Sequence, residues 1–323
     1  MNAAITFFKV VVTCFLIMNI VDSFRRIERI FLLISVVLVI FATDIGWKYL
    51  QGRGHGEMWG MVGGMFGNPN DLAVNLVLFL PLTYYFFLVN KDLLVKLAWL
   101  CCFGITIFGI VGTQSRGGML AAAIVLLLLL VRTGKKKVAF LVCGMMVLVV
   151  VAFAPSRAFE RLKTVVDYDI ESSAKTRLWF YESSLRMMSE RVVTGVGIGA
   201  WPTAYAADFR HPEDDTRRWP DAHSTYFQIM GELGIPGITV YLFMLYVAFR
   251  SLRDVEKRSQ GRRGYERQVY FAQCLRIGII GFSFAVIFQA FTYQHALFNV
   301  MALIAALERL YPGDLQEGSG LGV

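Results

Sequence analysis

Three polar side chains in this sequence are of types suited to phosphate binding and proton transfer. They are an arginine followed by two glycines, an arginine in a long polar segment, and a histidine before an amphipathic stretch: Arg116, Arg177 and His223. A guanidinium can bind a phosphate through two parallel hydrogen bonds, and an imidazole that titrates near neutrality can accept a proton from a hydroxyl. The three residues therefore predict binding of a phosphorylated substrate with general-base assistance.

Each of these residues also has a purely structural interpretation. Arg116 fits an anchor whose side chain reaches from a helix end to the membrane surface, and Arg177 fits a solvated helix face. His223 fits a residue that only completes a helix cap. Residue type and spacing alone leave both interpretations open.

The elements that must position Arg177 and His223 lie in one unusually long polar segment, residues 155–237. A connector between helices needs only a few residues, so its length alone makes the segment a functional candidate. We predict a helix over 177–188, a glycine-rich turn at 195–199, and an irregular acidic stretch. A second helix should then begin after Ser224, as its cap, and stop at Gly234 and Pro236, with its apolar side against the membrane.

Composition makes the chain an integral membrane protein. Of its 323 residues 56% are hydrophobic and 17% charged, too few polar side chains to cover a soluble globule. The fold class predicted is all-α, a polytopic bundle of about nine transmembrane helices with a long, partly helical outer loop. The spans are placed near 5–21, 27–46, 72–90, 97–114, 117–131, 138–154, 234–250, 269–291 and 296–311. The predicted units are helices 1–6 (1–154), an extracytoplasmic catalytic loop (155–233), helices 7–9 (234–311) and a cytoplasmic tail (312–323).

The positions of lysine and arginine predict the orientation of the bundle. Basic clusters fall on alternate loops, at 25–29, 91–96, 132–137 and 250–267. Such residues accumulate on the cytoplasmic side, so the long loop should lie outside, with the N-terminus outside and the C-terminus in the cytoplasm. The net charge of +8 sits in these loops and not on one face of a folded domain, which argues against a nucleic-acid partner.

Two further patterns bear on metals and disulfides. Asp167 and Asp169 form a D-x-D, which can hold a divalent ion, but so short a pattern fits an acidic approach to the following helix better. We therefore predict no metal and no cofactor. All five cysteines fall within predicted spans, which argues against an extracytoplasmic disulfide framework: Cys14, Cys101, Cys102, Cys143 and Cys274.

Five short motifs occur in one order along the chain, GNPNDLA (67–73), TQSRGGMLA (113–121), TRLWFYES (176–183), TGVGIGAW (194–201) and AHSTYFQIMGELGIPG (222–237). In this order they resemble the O-antigen ligase and polymerase superfamily, over roughly residues 60–311. The stretch DYDIESSAKTRLW is similar to the O-glycosylation ligases associated with exosortase systems. Such proteins usually have about a dozen spans, whereas only two precede the GNPND motif here.

The resemblance implies a GT-C-like transferase of the bacterial inner membrane. Its donor would be a glycan on undecaprenyl pyrophosphate, and its acceptor a hydroxyl of a lipid, glycan or protein outside the cytoplasm. By the family pattern Arg116 and Arg177 hold the pyrophosphate and His223 assists the acceptor, without metal or cofactor. We predict further substrate contacts within the same motifs, at Asn70, Ser115, Trp201 and Tyr226.

Three alternatives remain beside the ligase. A polysaccharide repeat-unit polymerase of the same superfamily uses the same donor and differs only in its acceptor. A transporter or flippase should carry ionisable residues near the middle of its spans, where only Lys9 and Arg276 are candidates. An assembly protein of the envelope would also be polytopic, but it would not need the two arginines and the histidine.

Overall fold

A computed structural model describes residues 3–53, 68–132, 169–214 and 221–311, and these residues form helices and connecting turns without a strand. The helices are α1 (Ala3–Ile20), α2 (Phe24–Leu50), α3 (Pro69–Val89), α4 (Leu93–Gly112), α5 (Arg116–Arg132), α6 (Asp169–Glu190), α7 (Trp201–Ala204), α8 (Thr225–Ser259), α9 (Glu266–Ala285) and α10 (His295–Arg309). A π-helical turn, Tyr205–Phe209, follows α7 directly. The stretch predicted as irregular thus begins with a helical segment.

The described helices confirm a helical membrane protein. Five of them, α2, α3, α4, α8 and α9, are long and apolar enough to cross a bilayer. Helices α1, α5 and α10 coincide with predicted spans but are shorter than these five helices. The predicted span 138–154 lies outside the described residues. Large apolar side chains such as Leu94 and Phe243 are exposed on the outer helices, where lipid would cover them. The count of nine spans and the GT-C-like arrangement stay predictions.

Helix α3 lies at the centre of the bundle. It packs against α9, α4, α5 and α2, and nearly all of its side chains are buried. Glycines permit the closest approach, because a Cβ atom at Gly278 of α9 would lie 2.2 Å from the carbonyl oxygen of Leu78. The middle of α3 is therefore held close against α9.

The helices α3, α5, α8 and α10 begin at one end of the bundle, which we call the site end. There the Gln289 amide, after the end of α9, donates to Asp71 in the first turn of α3 at 2.8 Å. A Cβ atom at Gly118 in α5 would lie 2.7 Å from Cβ of Ala73. The starts of α3 and α5 and the segment after α9 consequently meet.

At the opposite end, which we call the basic end, the other helix termini are joined by ion pairs. Arg267 of α9 pairs with Glu28 of α2 at 2.6 Å, and Arg132 of α5 pairs with Glu256 of α8 at 3.2 Å. The described parts of the four basic clusters belong to loops and helix termini at this end. The long polar segment, with α6 packed on the first part of α8, lies at the site end.

Helix α8 is interrupted at Gly234, whose backbone is left-handed (φ 65°, ψ −160°). The predicted stop is therefore a break, after which the helix resumes with Ile235 and Pro236. Carbonyls freed by the break accept from the glycine-rich loop, since Val196 N–H donates to Gly231 O and Gly197 N–H donates to Glu232 O, both at 2.9 Å. The TGVGIGAW and GELGIPG motifs are thus connected by backbone hydrogen bonds.

Candidate active site

His223 stands directly before α8 in a strained backbone conformation. Its φ is 51°, and Gln114 is the other non-glycine residue with positive φ in the described parts of the chain. Both precede the start of a helix at the site end. Left-handed backbone at a bulky residue costs free energy and often marks a functional site. The strain at His223 therefore supports a role beyond packing.

Thr225 fixes the backbone beside His223. Its N–H donates to Val286 O at 3.0 Å, its hydroxyl donates to Gln289 O at 2.9 Å, and the same hydroxyl accepts from Phe291 N–H at 2.8 Å. The start of α8 is in this way tied to the segment that follows α9. The position of the imidazole depends on contacts distant in the sequence.

Ser224 occupies the cap position of α8, but the predicted capping bond is absent. Its hydroxyl makes no bond to the helix N–H groups, although the residue is fully buried. Within the described residues the Ser224 Oγ has no hydrogen-bond partner. The prediction that Ser224 is the cap residue is confirmed, whereas the side-chain bond that usually accompanies a serine cap is not formed.

The surroundings of His223 favour its neutral form. The imidazole is half-buried and stacks on Phe180, with ring centroids 5.8 Å apart. Burial lowers the pKa of His223, the Arg177 guanidinium lowers it further, and the Asp221 carboxylate raises it. With a pKa below its ordinary value, the imidazole is unprotonated near pH 7 and able to accept a proton.

Arg177 is brought to His223 by the packing of α6 on α8. The ring of Tyr181, one turn further along α6, stacks on Phe227 of α8 with centroids 4.1 Å apart. The Tyr181 hydroxyl donates to Ile287 O at 3.3 Å, and burial raises its pKa although Arg177 opposes this. Arg177 itself is half-buried. The structure therefore brings Arg177 within electrostatic range of His223, although the two residues are far apart in the sequence.

Arg116 is the exposed first residue of α5. Ser115 caps this helix, because its hydroxyl accepts from Gly118 N–H at 3.3 Å. A Cβ atom at Gly117 would lie 2.9 Å from Cβ of Phe288, so α5 begins directly against the segment after α9. Phe288 is adjacent to Gln289, which contacts both Asp71 and Thr225. Arg116 thus starts its helix at the same end of the bundle as His223.

Two carboxylates that the sequence reasoning did not single out also lie here. Asp71 is half-buried and accepts from Gln289 at its Oδ1 atom, and its charge is repelled by that of Asp221. Asp221 in turn acts on His223. A signal for Asp71 was present, because it is an acidic residue in the first turn of an otherwise apolar helix within the GNPND motif.

The remaining predicted contact residues differ in how exposed their side chains are. The Asn70 side chain is half-buried beside Asp71, and Ser115 is buried by its capping role. Tyr226 is half-buried, packs on protein and not on lipid, and donates its hydroxyl to Ser283 O at 2.9 Å. Trp201 is fully buried, and its indole N–H donates to Ser184 Oγ at 2.9 Å. With no exposed ring surface, Trp201 lies in the packing beneath the site.

Glu232 is a third carboxylate that the sequence reasoning missed. This buried carboxylate accepts from Gly199 N–H at 2.8 Å, from Gln228 Nε2 at 3.0 Å, and from the Tyr293 hydroxyl. It holds the glycine-rich loop, α8 and the segment after α9 together. Because its oxygens are occupied by these donors, its role is to fix the shape of the site.

A metal site cannot be assembled from the side chains that the structure describes, since no group of three or more His, Cys, Asp or Glu has suitable geometry among them. Asp167 lies outside the described residues. Asp169 begins α6, but its side chain is also outside them. The prediction that this D-x-D is an acidic approach to the helix and holds no metal stays a prediction.

Comparison with known protein families shows which family part of the sequence matches. Residues 101–242 match the family model described as O-antigen ligase. This segment belongs to the O-antigen ligase family. It includes Arg116, Arg177 and His223 but neither Asp71 nor Gln289. No curated protein matches the chain. The predicted resemblance to the O-antigen ligase and polymerase superfamily is confirmed over this segment, and the described helices fit a multi-pass membrane protein.

Proposed function

We propose that the protein transfers a glycan from an undecaprenyl-pyrophosphate carrier to an acceptor hydroxyl, as an O-antigen or O-glycan ligase. The observation that carries this proposal is the pairing of a neutral, half-buried His223 with the Arg177 guanidinium. A general base must be unprotonated to act, and the cation that keeps it so can also bind the leaving pyrophosphate. Neither a transporter nor an assembly protein requires this pairing.

In the proposed reaction the acceptor oxygen attacks the anomeric carbon while the bond from that carbon to the pyrophosphate oxygen breaks. His223 takes the hydroxyl proton, and the charge that develops on the pyrophosphate is offset by Arg177 and Arg116. Inversion at the anomeric carbon follows from a single displacement. Pyrophosphate is already a good leaving group, so positioning and charge stabilisation suffice without a metal or cofactor.

The membrane explains why such a site belongs at one end of the bundle. The carrier keeps its lipid tail in the bilayer and its charge at the surface, where Arg116 is exposed at the start of α5. We propose that the site end is extracytoplasmic and the basic end cytoplasmic. A cysteine at the exposed Thr203, in a cysteine-free background, should react with an impermeant reagent in cells whose inner membrane is intact. Reaction only after inner-membrane permeabilisation would reverse the orientation.

The deciding experiment is reconstitution of purified protein with a labelled lipid-linked glycan and analysis of the products. Formation of a glycosylated acceptor that requires His223 would support the proposal, and absence of any donor consumption would contradict it. Ligase and polymerase are separated by the deletion strain. Lipid-linked polymer accumulates when a ligase is lost, whereas single repeat units accumulate when a polymerase is lost.

A further inference from the structure

We infer that Asp71 and Asp221 form the acceptor side of the site, and that the acceptor bound there is an uncharged hydroxyl compound such as a neutral sugar. This inference rests on the proposed function. It assigns binding roles to two carboxylates and excludes anionic acceptors from this part of the site.

The Asp71 side chain is held by Gln289, which is itself tied to the start of α8. Gln289 donates to its Oδ1 atom at 2.8 Å, and the carbonyl of the same Gln289 accepts from the Thr225 hydroxyl at 2.9 Å. Thr225 is two residues from His223. Within the described part of the chain the Oδ2 atom of Asp71 has no hydrogen-bond partner. Asp71 therefore presents one held oxygen and one oxygen that can accept from a substrate hydroxyl.

Charges of both signs act on His223. Arg177 acts on the imidazole as a cation, whereas Asp221 acts on it as an anion and also repels Asp71. A diphosphate would be attracted toward Arg177 and repelled by the carboxylates. Asp71 is tied to the same helix start as His223, because Gln289 bonds both Asp71 and Thr225.

The two kinds of charge match the two substrates of the proposed transfer. The donor brings a diphosphate, which suits the guanidinium of Arg177. The acceptor brings hydroxyl groups, which donate hydrogen bonds to carboxylate oxygens. A hydroxyl held by Asp71 would lie near the base that must remove its proton. An acceptor bearing its own carboxylate would be repelled by Asp71 and Asp221.

The test measures consumption of a labelled lipid-linked donor, which counts transfer and hydrolysis together. The probes are methyl glucoside and methyl glucuronide, which differ in one carboxylate. With wild-type protein we expect methyl glucoside to change donor consumption at a concentration at least about tenfold lower than methyl glucuronide. Asp71→Asn should weaken the methyl glucoside response about tenfold, reduce the preference between the probes, and leave donor affinity within about twofold.

Asp208→Asn is the matched control, because Asp208 is exposed on the π-helical turn and its substitution changes the net charge equally. It should leave the probe preference unaltered. An unchanged preference in Asp71→Asn, no response to either probe, or a fall in donor affinity would each overturn the inference. Loss in Asp71→Asn of a wild-type dependence on magnesium would overturn it as well, since the carboxylates would then bind a metal. Persistence of His223-dependent donor consumption in any of these cases would leave the proposed function intact.

Discussion

The two ends of the bundle use the same kinds of charged residue in opposite ways. At the basic end each buried carboxylate is saturated: Glu256 bonds Arg276 at 2.6 Å, Arg132 at 3.2 Å and Gln273 at 2.8 Å. Glu28 likewise binds Arg267 and the Tyr85 hydroxyl. These charges are paired with one another and join neighbouring helices.

At the site end the charges are near one another but not consumed. Arg116 and Arg177 make no ion pair within the described residues, and Asp71 and Asp221 repel each other. Glycines and two left-handed residues bring helix starts together there. Charges paired with each other stabilise a fold, whereas unpaired charges kept close together are typical of a site that awaits a ligand.

The largest expected effect is on the rate after replacement of His223. Asparagine is the suitable substitute, because it tolerates positive φ. The substitution therefore removes the base without adding backbone strain. His223→Asn should lower the transfer rate by about 10²- to 10⁴-fold, while donor binding and membrane insertion persist. His211→Asn is the matched control, since His211 stacks on Trp179 in the same segment. Near-normal transfer by His223→Asn would return His223 to a structural role.

A comparable effect, on stability instead of rate, is expected at the basic end. Arg276→Ala removes the nearest of the three partners of Glu256, while Arg132 and Gln273 remain, and should lower the free energy of unfolding by about 1.5–3 kcal/mol. The transfer rate per folded molecule should stay unchanged. Thermal unfolding in detergent and transfer assays at low temperature measure the two quantities. A lowered rate without a loss of stability would mean that the two ends are not functionally distinct.

A smaller effect is expected when either site arginine becomes lysine. Arg177→Lys and Arg116→Lys keep the charge but lose the two-pronged hydrogen bond to phosphate, so each should weaken donor binding roughly 10- to 100-fold. Arg186→Lys is the control on the same helix as Arg177, because Arg186 is exposed and packs over Phe209. The measurement is the donor affinity of each variant in nanodiscs. Full affinity in both lysine variants would make these arginines membrane anchors.

The smallest effect is a pair of opposite shifts in the pKa of His223. Arg177→Gln removes a cation and should raise that pKa toward its ordinary value, whereas Asp221→Asn should lower it further. Because the neutral imidazole is the active form, the wild-type rate should fall as the pH drops through the His223 pKa. That fall should occur at higher pH in Arg177→Gln. NMR titration of labelled histidine measures both pKa shifts. Shifts in the same direction would contradict the opposite effects of Arg177 and Asp221 on His223.

Much of the fold was predictable because its signals are local. Apolar runs of membrane length placed most ends of the described membrane helices within about four residues, although α8 continues to Ser259 and α9 stops at Ala285. Gly234 marked the break in α8. Ser224 was correctly predicted as the cap residue of α8, but its hydroxyl makes no capping bond. The bonds that anchor the neighbouring Thr225 come from the segment after α9, which a local pattern cannot include.

The sequence by itself determined the membrane class, the order of the motifs and the candidate trio Arg116, Arg177 and His223. Hydropathy, helix length and motif order are properties of neighbouring residues. Only the tertiary structure decided the environment of those residues, because the Asp71–Gln289 bond joins positions 218 residues apart and Arg177 reaches His223 through the packing of α6 on α8. The protonation state of a histidine depends on burial and on nearby charges, and both arise only when the distant segments meet.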